Sequence, residues 1–157
     1  MSQVLIPQAS ALDVWVRLLR GHAAATRALS SQLVAEHGLT INDFEALLLL
    51  SRAEGTRMRR VDLSQSLLLT ASGVTRLLDG LERAGFVEKG TCESDARVTY
   101  AVLTAAGATK LAEASKSHVA AVRSLFEERF SPEELETLVE LLGRLPGTGG
   151  PTECADE

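Results

Sequence analysis

Apolar residues recur at intervals of three and four along most of the chain, which is the spacing of helices with one buried face. In the first segment these residues are Leu12, Trp15, Leu18, Leu29 and Leu33. Gly38 follows as a typical helix end, and Thr40 with Asp43 resembles the capping box of a second helix through Leu50. Four consecutive leucines, residues 47–50, predict that this second helix is buried on most sides.

The middle of the chain combines short helices with short apolar runs. Residues 58–60 predict a short strand, and a brief helix is expected from about Asp62 to Leu68. Thr70 is a typical N-cap for a helix over residues 71–84, and Gly85 lies where a left-handed C-terminal residue belongs. Residues 86–87 and 98–103 predict the strands of a hairpin around the polar loop 90–96.

The last third returns to helical spacing. Thr104 opens a helix that is predicted to continue to about Phe130, and the run Ser131-Pro132-Glu133-Glu134 is typical of another helix start. This last helix is expected to end before Pro146, and the Gly-rich acidic tail, residues 147–157, is predicted to be disordered.

The order of elements predicts a mainly α fold with a small β-hairpin, which is a winged helix-turn-helix flanked by terminal helices. A DNA-binding lobe is expected over residues 39–104, between a dimerisation helix in 1–38 and dimerisation helices in 105–146. The apolar stripes of the terminal helices are wider than one chain can cover, which predicts a second copy of the chain as partner.

Composition narrows the function further. Hydrophobic residues make up 45% of the chain and aromatic residues 4%, which suits helices packed on helices. No apolar run approaches the ~18 residues of a membrane span, and no basic flank of a signal peptide is seen, so we expect a cytoplasmic protein without a membrane partner. Cys92 and Cys154 form no CxxC pair and the histidines form no HxxxH pair, so neither a metal nor another cofactor is expected.

The net charge of −5 argues at first against a nucleic-acid partner, but its distribution is uneven. Residues 57–97 hold seven Lys or Arg and six Asp or Glu, a net charge of +1, so the rest of the chain carries −6. The predicted DNA-binding lobe is therefore less acidic than its flanks, without being a strong basic patch.

Residues from Leu39 to Gly107 resemble the multiple-antibiotic-resistance regulator (MarR) family of bacterial winged-helix repressors. The matching segments are LTINDFEALLLL, VDLSQSLLLTASGVTRLLDGLERAGFVEKG, ESDAR and VLTAAG. They correspond to the second helix, the helix-turn-helix, the wing and the start of a dimerisation helix. The resemblance implies a homodimeric regulator of transcription that binds double-stranded DNA and is not an enzyme.

Two positions depart from the pattern of the family. The wing of such proteins usually carries two consecutive arginines after an aspartate, whereas here Ala96 separates Asp95 from Arg97. A basic residue is also frequent in the family where this chain has Gly80. Both departures remove positive charge, so we expect weaker DNA binding than is usual in the family.

The helix over residues 71–84 is the expected recognition helix, because small polar side chains in its first turns allow close approach to bases. The candidate DNA contacts in this segment are Thr70, Ala71, Ser72, Gly73, Thr75 and Arg76. Arg76 could bind a guanine edge, while Thr70 and Ser72 could bind phosphate. The alternative is purely structural, with Thr70 and Ser72 capping the helix and Arg76 paired with Glu82 or Asp79.

The resemblance implies that Arg97 enters the minor groove and that Asp95 pairs with basic side chains to hold the wing. A narrow A·T-rich minor groove attracts such an arginine. In the alternative interpretation, Arg97 is only an exposed arginine in a flexible hairpin. The arginines at 57, 59 and 60 either contact phosphates or make the strand more soluble.

A small anionic or aromatic effector is a further hypothesis. Some MarR-like proteins sense urate or phenolic anions through a tryptophan, an aspartate and arginines, and Trp15, Asp43 and Arg76 are the candidates here. A ligand on Arg76 could favour a DNA-incompetent position of the recognition helix. The alternative is that Trp15 packs in the dimer core and Asp43 only caps its helix.

The function expected from these observations is a homodimeric, sequence-specific DNA-binding regulator, a ligand-relieved repressor of a pseudo-palindromic operator. The alternative from another class is a winged-helix module used only for protein–protein assembly. Nucleophile–base pairs, phosphate-binding glycine loops and clustered carboxylates are all missing from the sequence, so an enzyme is not expected.

Overall fold

The computed structural model describes residues 9–67 and 69–147, and within them the chain forms six α-helices and one three-stranded sheet. In chain order these are α1 (Ala11–His37), α2 (Ile41–Arg52), β1 (Arg57–Arg59), α3 (Arg60–Ser66), α4 (Ala71–Arg83), β2 (Val87–Thr91), β3 (Thr99–Leu103), α5 (Ala105–Glu127) and α6 (Pro132–Leu142). A 3₁₀ turn, Glu54–Thr56, lies between α2 and β1. The predicted mainly α fold with a small β wing is confirmed.

Local capping explains where the helices begin and end. The Thr40 side chain accepts a hydrogen bond from the Asp43 amide while the Asp43 carboxylate accepts one from the Thr40 amide, so the predicted capping box is present. The start of α6 at Ser131 has the same reciprocal bonds. Gly38 ends α1 with φ 67° and Gly85 follows α4 with φ 78°, the left-handed conformation that glycine adopts without strain.

The sheet has the order β1-β3-β2, with both neighbouring pairs antiparallel. Met58 is opposite Ala101, and Gly90 is opposite Tyr100. A Cβ atom at Gly90 would lie 2.9 Å from Cγ2 of Val102, so glycine leaves room for the neighbouring strand.

Several predicted boundaries were wrong by a few residues. The strand expected over 58–60 is Arg57–Arg59, and α3 begins at once with Arg60 instead of Asp62. The polar segment 89–91 pairs with β3, so the wing loop is 92–98 and not 90–96. The helix expected to reach Phe130 ends at Glu127. Leu68, the predicted end of α3, and the predicted tail from residue 148 onward lie outside the described residues.

The described residues form two compact units, which divide within α5 between Val119 and Ala120. The hydrophobic core lies in the first unit and joins buried side chains of α1 to α5 with those of the sheet. The leucines of α2 contribute as predicted, since Leu47 and Leu50 are fully buried. Val74, Leu78 and Leu81 form the buried face of α4, so the opposite face of that helix is left for solvent or a ligand.

Candidate nucleic-acid interface

The first turns of α4 present small polar side chains to solvent. Thr70 is the N-cap, and its Oγ1 accepts a hydrogen bond from the Gly73 amide at 3.1 Å. The Ser72 hydroxyl lies 3.2 Å from the same oxygen, and Thr75 Oγ1 donates to the Ala71 carbonyl at 2.9 Å. The capping role that the alternative interpretation assigned to Thr70 is therefore present. The contact with Thr70 still leaves the exposed Ser72 hydroxyl able to form another hydrogen bond, because a hydroxyl can both donate and accept.

Arg76 lies one turn further along the same exposed face of α4. Over the part of the chain that the structure describes, its guanidinium has neither an ion pair nor a hydrogen bond. In the alternative interpretation Arg76 pairs with Glu82 or Asp79. The Glu82 carboxylate instead pairs with Lys89 at 3.5 Å. The backbone carbonyl of Asp79 accepts a hydrogen bond from Arg83 Nε. Pairing of Arg76 with either residue was therefore wrong, and its five N–H donors are available for a partner.

The wing loop holds its arginine through a local turn. Asp95 Oδ1 accepts hydrogen bonds from the Arg97 backbone amide at 3.0 Å and from Arg97 Nε at 3.2 Å. The Val98 amide donates to the Asp95 carbonyl at 3.1 Å. An aspartate that bonds the amide two residues ahead forms an Asx-turn, and the spacing Asp95-Ala96-Arg97 allows this arrangement.

The Arg97 side chain remains 92% exposed despite its contact with Asp95. Its Nη atoms make no hydrogen bond within the described residues, so their N–H groups can donate hydrogen bonds to DNA. An exposed ion pair of this kind contributes little stability, on the order of 0–1 kcal/mol. Replacement of the Asp95 carboxylate by a phosphate or a base edge as the partner of Arg97 therefore costs little free energy.

Cys92 lies at the start of the wing loop and is half-buried. Its Sγ lies 3.0 Å from Ser94 Oγ. Hydrogen bonds from the Ser94 hydroxyl, and then from the backbone of Ser94 and Asp95, hold the pKa of the thiol below its usual value. Cys154 lies outside the described residues.

The three arginines around β1 have different surroundings. Arg59 forms a two-pronged ion pair with Asp62, with Nε–Oδ2 and Nη2–Oδ1 distances of 2.7 and 3.0 Å, and this contact raises the pKa of the guanidinium. The Arg57 guanidinium stacks over the Tyr100 ring, 4.8 Å from its centroid. Arg60 Nη2 is buried without a partner. Both interpretations, phosphate contact and solubility, therefore stay open for Arg57, whereas the charge of Arg59 is already compensated.

The three residues of the effector hypothesis have ordinary structural surroundings. Trp15 is 57% exposed on α1, and the Asp43 carboxylate accepts hydrogen bonds from the Thr40 amide and hydroxyl at 2.8 and 2.7 Å. A cavity of about 500 Å³ lies between α1, α2 and α5, but neither of these residues nor Arg76 lines it. The hypothesis for this set remains a prediction.

Sequence reasoning missed the residues of that cavity. Phe44 and His118 pack with ring centroids 4.6 Å apart, and His22 and Glu45 also line the space. Burial lowers the pKa of His118, and its Nδ1 is enclosed without a hydrogen-bond partner. Because Phe44 and His118 are 74 positions apart in the chain, no local pattern could have paired them.

Residues 9–67 and 69–147 contain neither a metal-ligating cluster nor a membrane-spanning helix. No group of three or more His, Cys, Asp or Glu side chains is placed to hold a metal ion there. None of the helices in this range is both long and apolar enough to cross a bilayer.

The sequence and the structure of this chain are both similar to those of MarR family proteins. The sequence model of the MarR family matches residues 37–98, which include α2, α3, α4 and most of the wing. The crystal structure of AbsC, a MarR family transcriptional regulator from Streptomyces coelicolor, is 34% identical, covers 86% of this chain and 92% of its own, and superposes with a TM-score of 0.75. The chain belongs to the MarR family.

Two further relatives are a MarR family regulator solved with DNA and a transcriptional repressor. A second MarR family regulator from Streptomyces coelicolor was solved in complex with DNA; it is 27% identical over 86% of both chains, with a TM-score of 0.77. The transcriptional repressor YetL from Bacillus subtilis is 32% identical over 111 residues, 71% of this chain and 66% of its own length. As a MarR family member, this protein is thus a DNA-binding regulator of transcription.

Proposed function

We propose that this MarR family protein is a homodimeric repressor that binds a pseudo-palindromic operator, with α4 in the major groove and the wing in the minor groove. The observation that carries the proposal is the exposed face of α4. There Ser72, Thr75 and the unpaired Arg76 lie opposite the buried Val74 and Leu78. A helix with small polar residues and one free guanidinium on its exposed face suits direct contact with base edges.

The wing supports the same mode of binding. Arg97 is fixed at its backbone and at Nε by Asp95, while its Nη groups remain in solvent. A pre-oriented arginine loses little conformational entropy when it enters a groove. The DNA complex of the Streptomyces coelicolor relative supports DNA as the partner.

The homodimer is proposed from the surface of α1. Leu12, Trp15 and Leu19 follow helical spacing and are 69, 57 and 53% exposed in the single chain. A continuous apolar stripe of this kind is unfavourable in water and is buried well by the same stripe of a second copy. A twofold axis would then present two α4 helices to major grooves with half-sites about 10 bp apart.

The test is a gel-shift assay with DNA from upstream of the gene that encodes this protein. We expect a shifted band at low salt that a scrambled fragment of equal length does not give, and that weakens steeply as salt increases. Absence of any shift, together with a stable complex with another protein, would instead support the assembly module. Transcription from the bound promoter is then measured in vitro, where a repressor lowers the amount of transcript and an activator raises it. The name of the relative YetL favours a repressor.

Relief of repression by a small anionic or aromatic effector is the finer part of the proposal. Trp15 is a convenient probe because it is the only tryptophan. A titration of Trp15 fluorescence with urate and with salicylate should show saturation and a parallel loss of operator binding. A flat titration with both compounds would remove the effector site built from Trp15, Asp43 and Arg76.

A cytoplasmic location is proposed because chromosomal DNA is the partner.

A further inference from the structure

The two-residue turn Gly85-Phe86 connects the recognition helix α4 to β2, and its N–H groups close the end of that helix. The Gly85 amide donates to the Glu82 carbonyl at 3.0 Å, and the Phe86 amide donates to the Leu81 carbonyl at 2.9 Å. Gly85 adopts φ 78°, which makes both bonds possible. The donors of this turn are therefore committed to α4.

The carbonyl groups of the same two residues bind the start of α5. Thr104 Oγ1 donates to the Gly85 carbonyl at 2.6 Å, and the Thr104 amide donates to the Phe86 carbonyl at 3.1 Å. As the residue before α5, Thr104 also accepts a hydrogen bond from the Gly107 amide through Oγ1, at 3.0 Å. One hydroxyl thus links the end of α4 to the first turn of α5.

Gly107 allows these segments to approach closely. A Cβ atom at this position would lie 2.1 Å from the Phe86 carbonyl oxygen and 2.8 Å from Cδ1 of Leu103. Only glycine lets the first turn of α5 contact the turn at this distance. The connection consists of backbone groups and one short β-branched side chain, so it has few rotatable bonds.

A small change at this connection is amplified at the DNA. The helix α4 has 13 residues. At 1.5 Å per residue it is about 20 Å long, so a rotation of about 5° at its C-terminal end moves its first turn by about 1.7 Å. Hydrogen bonds to base edges tolerate only a few tenths of an ångström. The orientation of α4 relative to α5 therefore decides whether both recognition helices of a dimer fit the spacing of their half-sites.

We propose that Thr104 is a positioning residue for operator recognition, which fixes α4 against the first turn of α5 and so sets the half-site spacing that the dimer accepts. The inference rests on the proposed DNA-binding homodimer. The competing explanation is that the buried face of α4, through Val74, Leu78 and Leu81, fixes the helix without help from Thr104.

The experiment measures binding as a function of half-site spacing. The operator is first recovered by binding-site selection from random DNA with the unsubstituted full chain. It is then rebuilt with 1 or 2 bp added or removed between the half-sites, each of which changes their separation by about 3.4 Å per bp. The variants are Thr104→Val, which removes the hydroxyl at nearly constant volume, Thr104→Ser, which retains it, and Thr104→Ala.

A matched control is Thr137→Val. The Thr137 hydroxyl donates to the Glu133 carbonyl at 2.9 Å, so this change removes one threonine hydrogen bond that lies within a single turn of α6. Sedimentation and thermal melting are recorded for every variant, so that a loss of dimer or of folding is seen separately from a change in DNA binding.

We expect the unsubstituted chain, Thr104→Ser and Thr137→Val to lose about tenfold or more in affinity for each base pair of altered spacing. For Thr104→Val and Thr104→Ala we expect weaker binding at the best spacing and a profile flattened to within about threefold, since the loss of a hydrogen bond changes an equilibrium by about two- to tenfold.

Three results would overturn the inference. One is an unchanged spacing profile in Thr104→Val. Another is an equal loss of affinity at every spacing. The third is failure of both Thr104→Val and Thr104→Ala to fold while Thr104→Ser folds, since Thr104 would then serve stability alone. If the unsubstituted chain selects no DNA, the proposed function itself fails, which is a distinct outcome.

Discussion

The two arginines proposed to contact DNA are held in different ways. Arg97 is restrained by its Asx-turn with Asp95, whereas Arg76 on α4 has no partner among the described residues. A restrained side chain loses less entropy on binding, and an unpaired one loses no existing bond. We therefore expect both arginines to be available to DNA, Arg97 in the minor groove and Arg76 at base edges of the major groove.

Replacement of Arg97 by alanine should weaken operator binding by about tenfold or more, because both wings of a dimer lose their only arginine. The dimer should remain intact, since Arg97 lies in the exposed wing loop. Fluorescence anisotropy with labelled operator measures the binding, and sedimentation measures the dimer. Arg123→Ala is the control, because that arginine is also exposed, at 71%, but lies on α5 beside Glu127. Unchanged affinity in Arg97→Ala would contradict the role of the wing.

Replacement of Arg76 by alanine should both weaken binding and relax the preferred sequence at one position of each half-site. The expected loss is about 1–3 kcal/mol per bidentate contact with a guanine. Binding-site selection with the variant shows the relaxed position directly. Arg83→Ala is the control, since Arg83 lies at the other end of α4 with Nε bonded to the Asp79 carbonyl. An unaltered consensus after selection would show that Arg76 contacts no base.

The half-buried ring of His118 predicts a loss of stability in mild acid. Burial lowers its pKa, and Nδ1 has no acceptor nearby that could stabilise a second N–H group. The unfolded chain, with an ordinary pKa of about 6.5, binds a proton that the folded chain binds less readily. Stability is therefore complete above about pH 6.5 and decreases as the pH falls through the lowered pKa.

The measurement is the fall in melting temperature between about pH 7.5 and about pH 5.5. In His118→Gln this fall should be smaller than in the unsubstituted chain, because the titrating ring is gone. His22→Gln should keep the fall, since His22 lines the same cavity but is exposed. Equal falls in all three proteins would show that His118 is not the group responsible.

Among the helices, α4 and α5 contain glycines with opposite structural roles. At Gly80 an added Cβ meets nothing within 4 Å, whereas at Gly107 it would collide with the Phe86 carbonyl. Glycine within a helix costs roughly 0.5–1 kcal/mol relative to alanine. Gly80→Ala should therefore raise the free energy of unfolding by about that amount, and Gly107→Ala should lower it. Urea denaturation measures both, and destabilisation by Gly80→Ala would show that α4 needs flexibility there.

The helix ends that carry a local capping signal were predicted from the sequence. Thr40 with Asp43, and Gly85 after α4, act through hydrogen bonds over three or four residues, and the structure has each of them. The partners of β1 were not predictable in this way. Met58 is opposite Ala101, 43 positions away, and the register depends on packing that a single segment does not encode.

The same distinction applies to the candidate site. The polar face of α4 and the wing with Arg97 follow from local pattern and from resemblance to the family. The bond from Thr104 to Gly85 joins two turns 19 positions apart, and the cavity at His118 joins helices that are further separated. Sequence patterns therefore predicted the exposed polar face of α4 and the exposed wing arginine, but not the bond from Thr104 to Gly85 or the packing around His118.

At the scale of the whole molecule, charge and apolar surface have separate roles. Residues 57–97, the part of the lobe that holds α4 and the wing loop, have a net charge of only +1 within a chain of −5, and Arg59, Lys89 and Arg97 are already paired with carboxylates. One lobe alone therefore has little electrostatic attraction for DNA. Two lobes on one duplex would double the contact without a second loss of translational freedom, so we expect tight binding to depend on the proposed dimer.

This dependence predicts the effect of a charge in the α1 stripe. Leu19 is 53% exposed between the apolar residues of that stripe, and Leu19→Glu would place a carboxylate in the proposed interface. Burial of an unpaired charge costs several kcal/mol, so the variant should be a folded monomer at concentrations where the unsubstituted chain is a dimer. It should bind a single half-site as well as the unsubstituted protein does, and the full operator much more weakly.

Val61→Glu is the matched control for assembly, because Val61 is 55% exposed but lies on α3, outside the proposed interface. Sedimentation should find it dimeric. If Leu19→Glu is also dimeric, α1 does not form the interface through this stripe. If it is monomeric yet binds the full operator with undiminished affinity, one lobe suffices for recognition. In that case, the spacing of half-sites cannot be what Thr104 controls.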